Sequence, residues 1–309
     1  NNGELHIVDY KATAKKTFNP NFDTGWEICY KRQIEIYQWL FKKNGFNISN
    51  IGYIIYANGK SDEKEFDGKL TFDQHLYTLA CNTDWIDKII PKIYECLNSE
   101  ELMPKIVNTD EEKAALLESA KTMKKIKISS AAAANLVMLG AGYFTPLGGF
   151  MDKKDVLSVA NEMKLSNGLF WPTPVVNLTS QKIDFKEGEQ IALIDPNVDG
   201  DQIIAIQTVN KIEKLDTDDI DNIIEKVFGT NDKEHPGVNT FYDQGDTLIS
   251  GNVDVLNFSY FEKDFGETFR TAMQIRSSIE SKGWNNVVAF QTRNPMHRAH
   301  EELCRMAGE

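Results

Sequence analysis

The sequence predicts a multidomain protein of mixed α/β and α+β class. A length of 309 residues allows about two domains, and a content of 41% hydrophobic and 10% aromatic residues is enough to build their cores. The character of the sequence changes near residue 102 and again near residue 257. We therefore expect a strand–helix fragment over residues 1–102, a β-rich domain over 103–256 and the start of an α/β unit over 257–309.

The first segment begins with an apolar strand over Leu5–Thr13 that carries the sequence Asp9-x-Lys11. A helix follows, which includes Gln33 and Tyr37 and continues through Phe41. Residues four apart lie on the same face of a helix, so the side chains of Gln33 and Tyr37 are expected to be neighbours.

The second segment alternates short apolar runs with turn signals. Ser129 and Ser130 can cap a helix of small residues, Pro146–Gly149 is a turn, and the runs around Ile191 and Ile203 alternate like strands. His235, which precedes a proline, is expected to be a loop residue rather than a catalyst. Acidic clusters at 110–112 and 216–221 are expected to be solvated helix starts or loops, with metal binding as the alternative.

The third segment is predicted to be a helix, a strand and a second helix. The first helix follows Phe258 and stops at Gly283, and Val287–Phe290 is an apolar run of the buried-strand type. Asn294 followed by Pro295 is a strong helix start, because asparagine supplies a capping acceptor and proline needs no backbone donor. A helix N-terminus with histidines in its first turns is suited to binding an anion.

The decapeptide Gln291-Thr-Arg-Asn-Pro-Met-His-Arg-Ala-His300 resembles the sulfate- and ATP-binding signature of the ATP sulfurylases, which are sulfate adenylyltransferases. The resemblance implies that Gln291 and Arg293 hold sulfate. It implies that His297 and His300 contact nucleotide phosphates, and that Thr292 and Asn294 act with Arg293 in catalysis, Asn294 also being among the substrate-binding residues. The alternative is an ordinary capped helix with surface histidines.

The reaction of that family fits these residue types. Sulfate attacks the α-phosphorus of ATP and expels pyrophosphate, giving adenosine 5′-phosphosulfate, or the reverse reaction runs. Positioning and fixed positive groups catalyse such a transfer, without a protein nucleophile. The resemblance implies ATP as substrate, Mg²⁺ bound with it, and a homo-oligomer for the full-length enzyme.

Three blocks upstream resemble the PUA-like, β-rich domain of ATP sulfurylases; they lie at 126–151, 167–175 and 228–238. Residues 257–309 resemble the opening of the family's Rossmann-like nucleotidyltransferase domain. The family's later Gly-Arg-Asp motif has no counterpart. The expectation is therefore a truncated catalytic domain and an incomplete enzyme.

Residues 1–102 resemble a different family, the RecB-type PD-(D/E)XK nucleases. The resemblance rests on Asp9 and Lys11, followed by Gln33 and Tyr37. Asp9 is the tentative Mg²⁺ ligand, Lys11 would orient the attacking water, and Gln33 and Tyr37 would contact the active strand or the DNA backbone. The family's upstream carboxylate has no counterpart, since Glu4 is poorly placed on the same strand.

The charge distribution and the cysteine content indicate which ligands each segment can bind and where the protein is expected to be located. The balances of basic and acidic residues are −3 over 1–102, −9 over 103–260 and 0 over 261–309. An acidic first segment argues against strong non-specific DNA binding, whereas the neutral last segment can accept anions. The four cysteines have no metal-ligand spacing, and neither a signal peptide nor a membrane segment is evident, so the cytoplasm is the expected location.

Three functional interpretations remain open at this stage. The main one is a sulfate adenylyltransferase that is incomplete as this chain. The alternatives are a Mg²⁺-dependent DNA nuclease fragment supported by its fusion partner, and a catalytically silent fusion fragment.

Overall fold

The computed structural model describes residues 3–14, 19–23, 27–60, 71–98, 101–291, 296 and 298–308. Its elements form two separate sheets, one in the first segment and one in the second. The mixed helix and strand content agrees with the predicted class.

The first segment is a three-stranded sheet with two helices. Its elements are β1 (Val8–Thr13), α1 (Ile28–Lys43), β2 (Ile51–Gly59), β3 (Phe72–Ala80) and α2 (Asp84–Asn98). Strand β2 is central, parallel to β1 and antiparallel to β3. The predicted strand and helix are therefore both present, with the Asp9-x-Lys11 sequence inside β1.

A small core joins helix α1 to this sheet. It contains Phe22, Ile34, Ile54, Tyr56 and Leu79. Ile34 is fully buried because it projects from α1 onto β2, where Gly52 leaves space for it: a Cβ atom at Gly52 would lie 2.4 Å from the Ile34 side chain.

The second segment contains seven strands and five helices among the described residues. The elements are α3 (Asp110–Ala120), β4 (Lys124–Lys127), α4 (Ser130–Gly140), β5 (Gly149–Phe150), α5 (Lys153–Glu162), β6 (Leu178–Thr179), β7 (Gln190–Ile194), β8 (Ile203–Thr208), β9 (Lys211–Lys214), α6 (Thr217–Phe228), α7 (Pro236–Asp243) and β10 (Thr247–Val255). The sheet order is β4-β7-β8-β10-β5, and β6 and β9 also pair with β10. The long strand β10 therefore organises the sheet.

Sequence signals correctly placed several of these elements. The Ser129 hydroxyl accepts a hydrogen bond from the Ala132 amide at 3.0 Å and caps α4. Asp216 and Asp219 form a reciprocal capping box at the start of α6. The predicted strands around Ile191 and Ile203 are β7 and β8, which run antiparallel and are almost entirely buried.

The third segment differs from its prediction in two places. The described residues there form helices only: α8 (Phe261–Asp264), α9 (Ala272–Ser281) and α10 (Arg298–Gly308). The helix predicted from Phe258 is interrupted and resumes only after Thr271, whose side chain caps α9 through a reciprocal bond with Gln274. A strong capping signal thus outweighed the apolar periodicity upstream of it.

The predicted strand Val287–Phe290 is not formed, and this prediction was wrong. Val288 is 69% exposed, and no described strand pairs with this run. A strand needs a neighbour to accept and donate its backbone hydrogen bonds, and apolar composition alone does not supply one.

The joint between the first two segments is expected to be a site of limited proteolysis. The Met103 amide donates to the Thr145 hydroxyl at 2.9 Å, and the Val107 amide donates to the Val255 carbonyl at 2.8 Å. The chain is therefore anchored to the β-rich domain from Met103 onward. We expect limited proteolysis to cut between Asn98 and Leu117, and above all before Met103, because the hydrogen bonds described from Met103 onward protect the backbone there.

The measurement is mass spectrometry of the fragments at low protease concentration. Two protected fragments are the expected result. A single protected fragment spanning this region would contradict the division into separate modules.

Candidate functional site

The predicted anion-binding turn lies at the start of helix α10. Thr292, Arg293, Asn294, Pro295 and His297 lie outside the described residues. Of the predicted site residues in this segment, the structure places Gln291, which is exposed, and His300, which is half-buried in the first turn of α10.

One ring contact links the residue before the decapeptide to helix α10. The rings of Phe290 and His300 lie 5.4 Å apart between centroids and are inclined by 54°. His300, in the first turn of α10, therefore packs against the residue that precedes Gln291. In this position the imidazole lies near the helix N-terminus, where backbone amides carry a partial positive charge.

The segment that carries this turn is tied to the β-rich domain through helix α9. The Ala272 amide donates to the Ala141 carbonyl at 2.9 Å, and the Tyr143 hydroxyl donates to the Arg270 carbonyl at 2.7 Å. Phe261 and Phe269 pack against the core of the β-rich domain. The helix that leads into the candidate site is thus fixed by hydrogen bonds and by apolar packing.

A cavity of about 370 Å³ lies beside this attachment. Its walls include Tyr143, Phe144, Trp171 and Ala272, and the exposed cation Arg276 lies at its edge. Arg276 was not among the residues predicted from the sequence, although it lies in the helix that precedes the decapeptide.

The four residues of the second predicted site form one connected chain of polar contacts. The Lys11 ammonium lies 2.8 Å from Asp9 Oδ2 and donates to Gln33 Oε1 at 2.8 Å. Gln33 Nε2 in turn donates to the Tyr37 hydroxyl at 2.7 Å. The residue spacing thus correctly predicted a common face, because alternate residues of β1 point toward α1 and residues four apart on α1 point toward β1.

Two tyrosines complete this cluster and were missed from the sequence. Lys11 Nζ lies 4.5 Å from the centroid of the Tyr30 ring, a cation–π contact. Tyr56 is the neighbour of Lys11 in the β1–β2 pairing, and burial, reinforced by nearby Tyr30 and Glu27, raises the pKa of Tyr56 to about 12. Tyr30 lies one helical turn before Gln33 and could have been found, whereas Tyr56 depends on the sheet register.

A buried glutamate holds α1 in the orientation that this cluster requires. Glu35 is 6% exposed, and its two carboxylate oxygens accept hydrogen bonds from the Asn82 amide at 3.0 Å and from Trp85 Nε1 at 2.7 Å. Glu35 thus joins the middle of α1 to the start of α2, on the side of α1 away from the cluster.

The described residues do not fit a Mg²⁺ site at Asp9. Mg²⁺ prefers near-octahedral oxygen coordination, whereas Asp9 is the one carboxylate in this chain of contacts and already pairs with Lys11. Within the described ranges, no group of three or more His, Cys, Asp or Glu side chains is arranged to hold a metal ion. The tentative assignment of Asp9 as a metal ligand therefore has no support in this geometry.

His235, expected to be a loop residue, lies at the N-cap of helix α7. Its Nδ1 accepts a hydrogen bond from the Val238 amide at 3.4 Å, so the ring caps helix α7. Its ring also packs at 5.6 Å from the Phe228 ring.

No described helix has the length and apolar character that crossing a bilayer would require.

Comparison with protein families matches two parts of the chain. Residues 97–258 match the model of a PUA-like domain, and residues 267–309 match the ATP-sulfurylase model. Residues 1–96 lie outside both ranges, so the nuclease resemblance receives no support from these matches.

Curated relatives cover the same region. The chain is 51% identical over 211 residues to a sulfate adenylyltransferase of Alcanivorax borkumensis, a match that covers 68% of this chain and 53% of the relative. It is 49% identical over 213 residues to the sulfate adenylyltransferase of Allochromatium vinosum, covering 69% of this chain and 54% of that protein. The chain thus spans about half the length of the curated relatives it matches.

Among solved structures, a hexameric APS kinase from Thiobacillus denitrificans aligns with a TM-score of 0.53 at 23% identity. The alignment covers 68% of this chain and 36% of that one. At this identity the likeness describes the fold alone.

Proposed function

We propose that this chain forms part of a sulfate adenylyltransferase. The chain belongs to the PUA-like domain family and continues into a segment that matches the ATP-sulfurylase model. The observation that carries the proposal is the decapeptide at 291–300, whose last residue, His300, packs against Phe290, the residue just before the decapeptide. The identity of about half to relatives of that name supports the same reaction.

In the proposed reaction, an oxygen of sulfate attacks the α-phosphorus of ATP. The bond between the α-phosphorus and the bridging oxygen breaks, and pyrophosphate leaves with the electron pair. The charge that builds on the phosphate oxygens needs fixed positive groups and donors, and it needs no covalent intermediate on the protein.

Six residues of the decapeptide have a role in this proposal. Gln291 and Arg293 bind sulfate, and the guanidinium can do so through two parallel hydrogen bonds. Thr292 and Asn294 donate to the reacting groups, and His297 and His300 contact the phosphates of ATP. Mg²⁺ would enter as the ATP complex and neutralise phosphate charge, and a homo-oligomeric assembly belongs to the same proposal.

His300 allows a direct test of this proposal. The chain is extended with the remaining catalytic domain of the Alcanivorax borkumensis relative, and His300→Ala is compared with His235→Ala. We expect His300→Ala to lower kcat about 100-fold with little change in KM, since one stabilising contact to the transition state is lost. His235→Ala should retain its turnover number, because that ring caps α7.

The measurement is the rate of ATP formation from adenosine phosphosulfate and pyrophosphate. Equal kcat values for the two histidine variants would contradict the placement of His300 at the phosphates.

A second candidate function belongs to residues 1–98. The contacts from Asp9 through Lys11 and Gln33 to Tyr37 favour a strand–helix unit of the PD-(D/E)XK nuclease type. We propose common ancestry with those nucleases, with DNA as the ancestral partner, and no activity in this chain.

We expect negligible cleavage when the purified chain is incubated with linear DNA and Mg²⁺ or Mn²⁺. Asp9 offers one carboxylate and Lys11 neutralises it, so any metal ion would be weakly held. Gel analysis of the DNA is the measurement, with Asp9→Ala as the matched variant. Cleavage that disappears in Asp9→Ala would overturn this expectation and establish a nuclease.

A further inference from the structure

The loop between β7 and β8 carries an oxygen-rich sequence that the adenylyltransferase proposal does not use. It reads Asp195-Pro-Asn-Val-Asp-Gly-Asp201, so Asp195, Asn197 and Asp199 alternate before Gly200. This is the order of side chains at the first, third and fifth positions of a calcium loop of the EF-hand type, in which glycine occupies the sixth position.

The backbone supports the same comparison. Gly200 has φ of +88°, a left-handed conformation that glycine adopts readily, and Asp201 has φ of +50°. The Asp195 amide donates to the Gln202 carbonyl at 2.9 Å, so the two ends of the loop are closed by a hydrogen bond.

A buried carboxylate oxygen provides an independent indication of a ligand. Asp195 is 1% exposed, and its Oδ2 has no hydrogen-bond partner among the described residues. Its Oδ1 accepts from the Asn197 amide at 2.8 Å, so the carboxylate is held against the backbone of the loop. A buried carboxylate oxygen without a donor is costly, and a bound cation would remove that cost.

The other proposed oxygens belong to Asn197, Asp199 and Asp201, which are exposed residues. Asp199 is exposed, and the Asp201 carbonyl occupies the seventh position, which contributes a backbone oxygen in EF-hand loops. Asn197 Oδ1 already accepts from the Ser130 hydroxyl at 2.8 Å, and a carboxamide oxygen has a second lone pair for a cation.

We propose that residues 195–201 bind one Ca²⁺ ion through the side chains of Asp195, Asn197 and Asp199 and the carbonyl of Asp201. The three side-chain ligands are two carboxylates and one carboxamide rather than a cluster of three acidic side chains. The twelfth position, which carries a bidentate glutamate in EF-hands, is the buried Ile206. Binding is therefore expected to be weak, with Kd of about 0.1–1 mM, the range of the weakest EF-hand-type sites.

The bound ion would link two parts of the β-rich domain. Since Asn197 accepts from Ser130 in the first turn of α4, an ion on Asn197 would fix the β7–β8 loop against that helix. The proposed role of this site is thus local stabilisation of the domain, distant in sequence from the decapeptide.

The test is isothermal titration of the 309-residue chain with CaCl₂ after treatment with a chelator. We expect one site, and we expect Asp199→Asn to weaken it at least tenfold. Asp218→Asn is the matched control, because Asp218 is also an exposed aspartate in an acidic cluster, at the start of α6, and should leave the titration unchanged.

A second measurement separates a bound ion from a buried water molecule beside Asp195. Ca²⁺ should raise the melting temperature of the unsubstituted chain by a few degrees, whereas Asp195→Asn should abolish this rise. In chelator, Asp195→Asn should melt at the same or a higher temperature, because it removes an unpaired buried charge. Absence of a titration signal, or equal weakening by Asp218→Asn and Asp199→Asn, would overturn the proposal.

Discussion

The 309-residue chain is expected to show no measurable sulfate adenylylation, and its extension by a complete catalytic domain is expected to produce it. The regular elements described within residues 257–309 are helices, and the run Val287–Phe290 that precedes the decapeptide is exposed and pairs with no described strand. In-line transfer requires sulfate and the α-phosphate to be held to within about half an ångström. The described residues provide no sheet beside the decapeptide that could give that precision.

In the extended protein, Arg293→Ala should cost about 3 kcal/mol or more of transition-state stabilisation, a loss of at least about 100-fold in kcat/KM. This is the scale of losing one charged donor to an oxyanion. Arg305→Ala is the matched control, because Arg305 lies on the exposed face of α10, where it pairs with Glu302. Its loss should change the rate less than about twofold, as exposed ion pairs contribute little.

The readout is ATP formation from adenosine phosphosulfate and pyrophosphate for four proteins: the chain, the extended chain and the two arginine variants. Robust turnover by the 309-residue chain would refute the need for a completed domain. Near-normal activity of extended Arg293→Ala would refute the decapeptide as the reaction centre.

The second large effect is expected at Gly251, where strand β10 passes closest to its neighbours. A Cβ atom there would lie 1.9 Å from the Thr208 carbonyl oxygen, and the residue has φ of +148°. The Thr208 oxygen and the Gly251 Cα that would carry the Cβ both belong to strand backbone, so neither can move without disturbing a strand pairing. We expect Gly251→Ala to lower the free energy of unfolding by about 4 kcal/mol or more.

Gly168→Ala is the matched control for this substitution. Gly168 also has a positive φ, +91°, but a Cβ atom there would meet nothing within 4 Å. It should therefore cost only the backbone strain, about 1–2 kcal/mol. Urea unfolding followed by circular dichroism measures both, and equal stability of the two variants would show that the close approach of β10 to Thr208 is not as described.

Local signals in the sequence determined most of the helix starts and the chemical character of both sites. Ser129 and Asp216 each cap a helix through a hydrogen bond to an amide three residues on, which is a short-range contact that sequence spacing specifies. The contacts among Lys11, Gln33 and Tyr37 were predictable for the same reason, because strand and helix periodicity fix which side chains share a face. The decapeptide likewise identified the proposed chemistry by its order of residues alone.

Contacts between distant segments decided the rest. Val287–Phe290 has the composition of a buried strand, yet a strand forms only where a neighbour completes its hydrogen bonds, and no local pattern reports that neighbour. Tyr56 lies beside Lys11 only through the register of β1 on β2. Asp195 is buried, with one oxygen unpartnered among the described residues, because β7 and β8 close around it. Residue type and spacing therefore determined which chemical groups the chain offers. Tertiary packing decided which of these groups are buried away from water and which come into contact with one another.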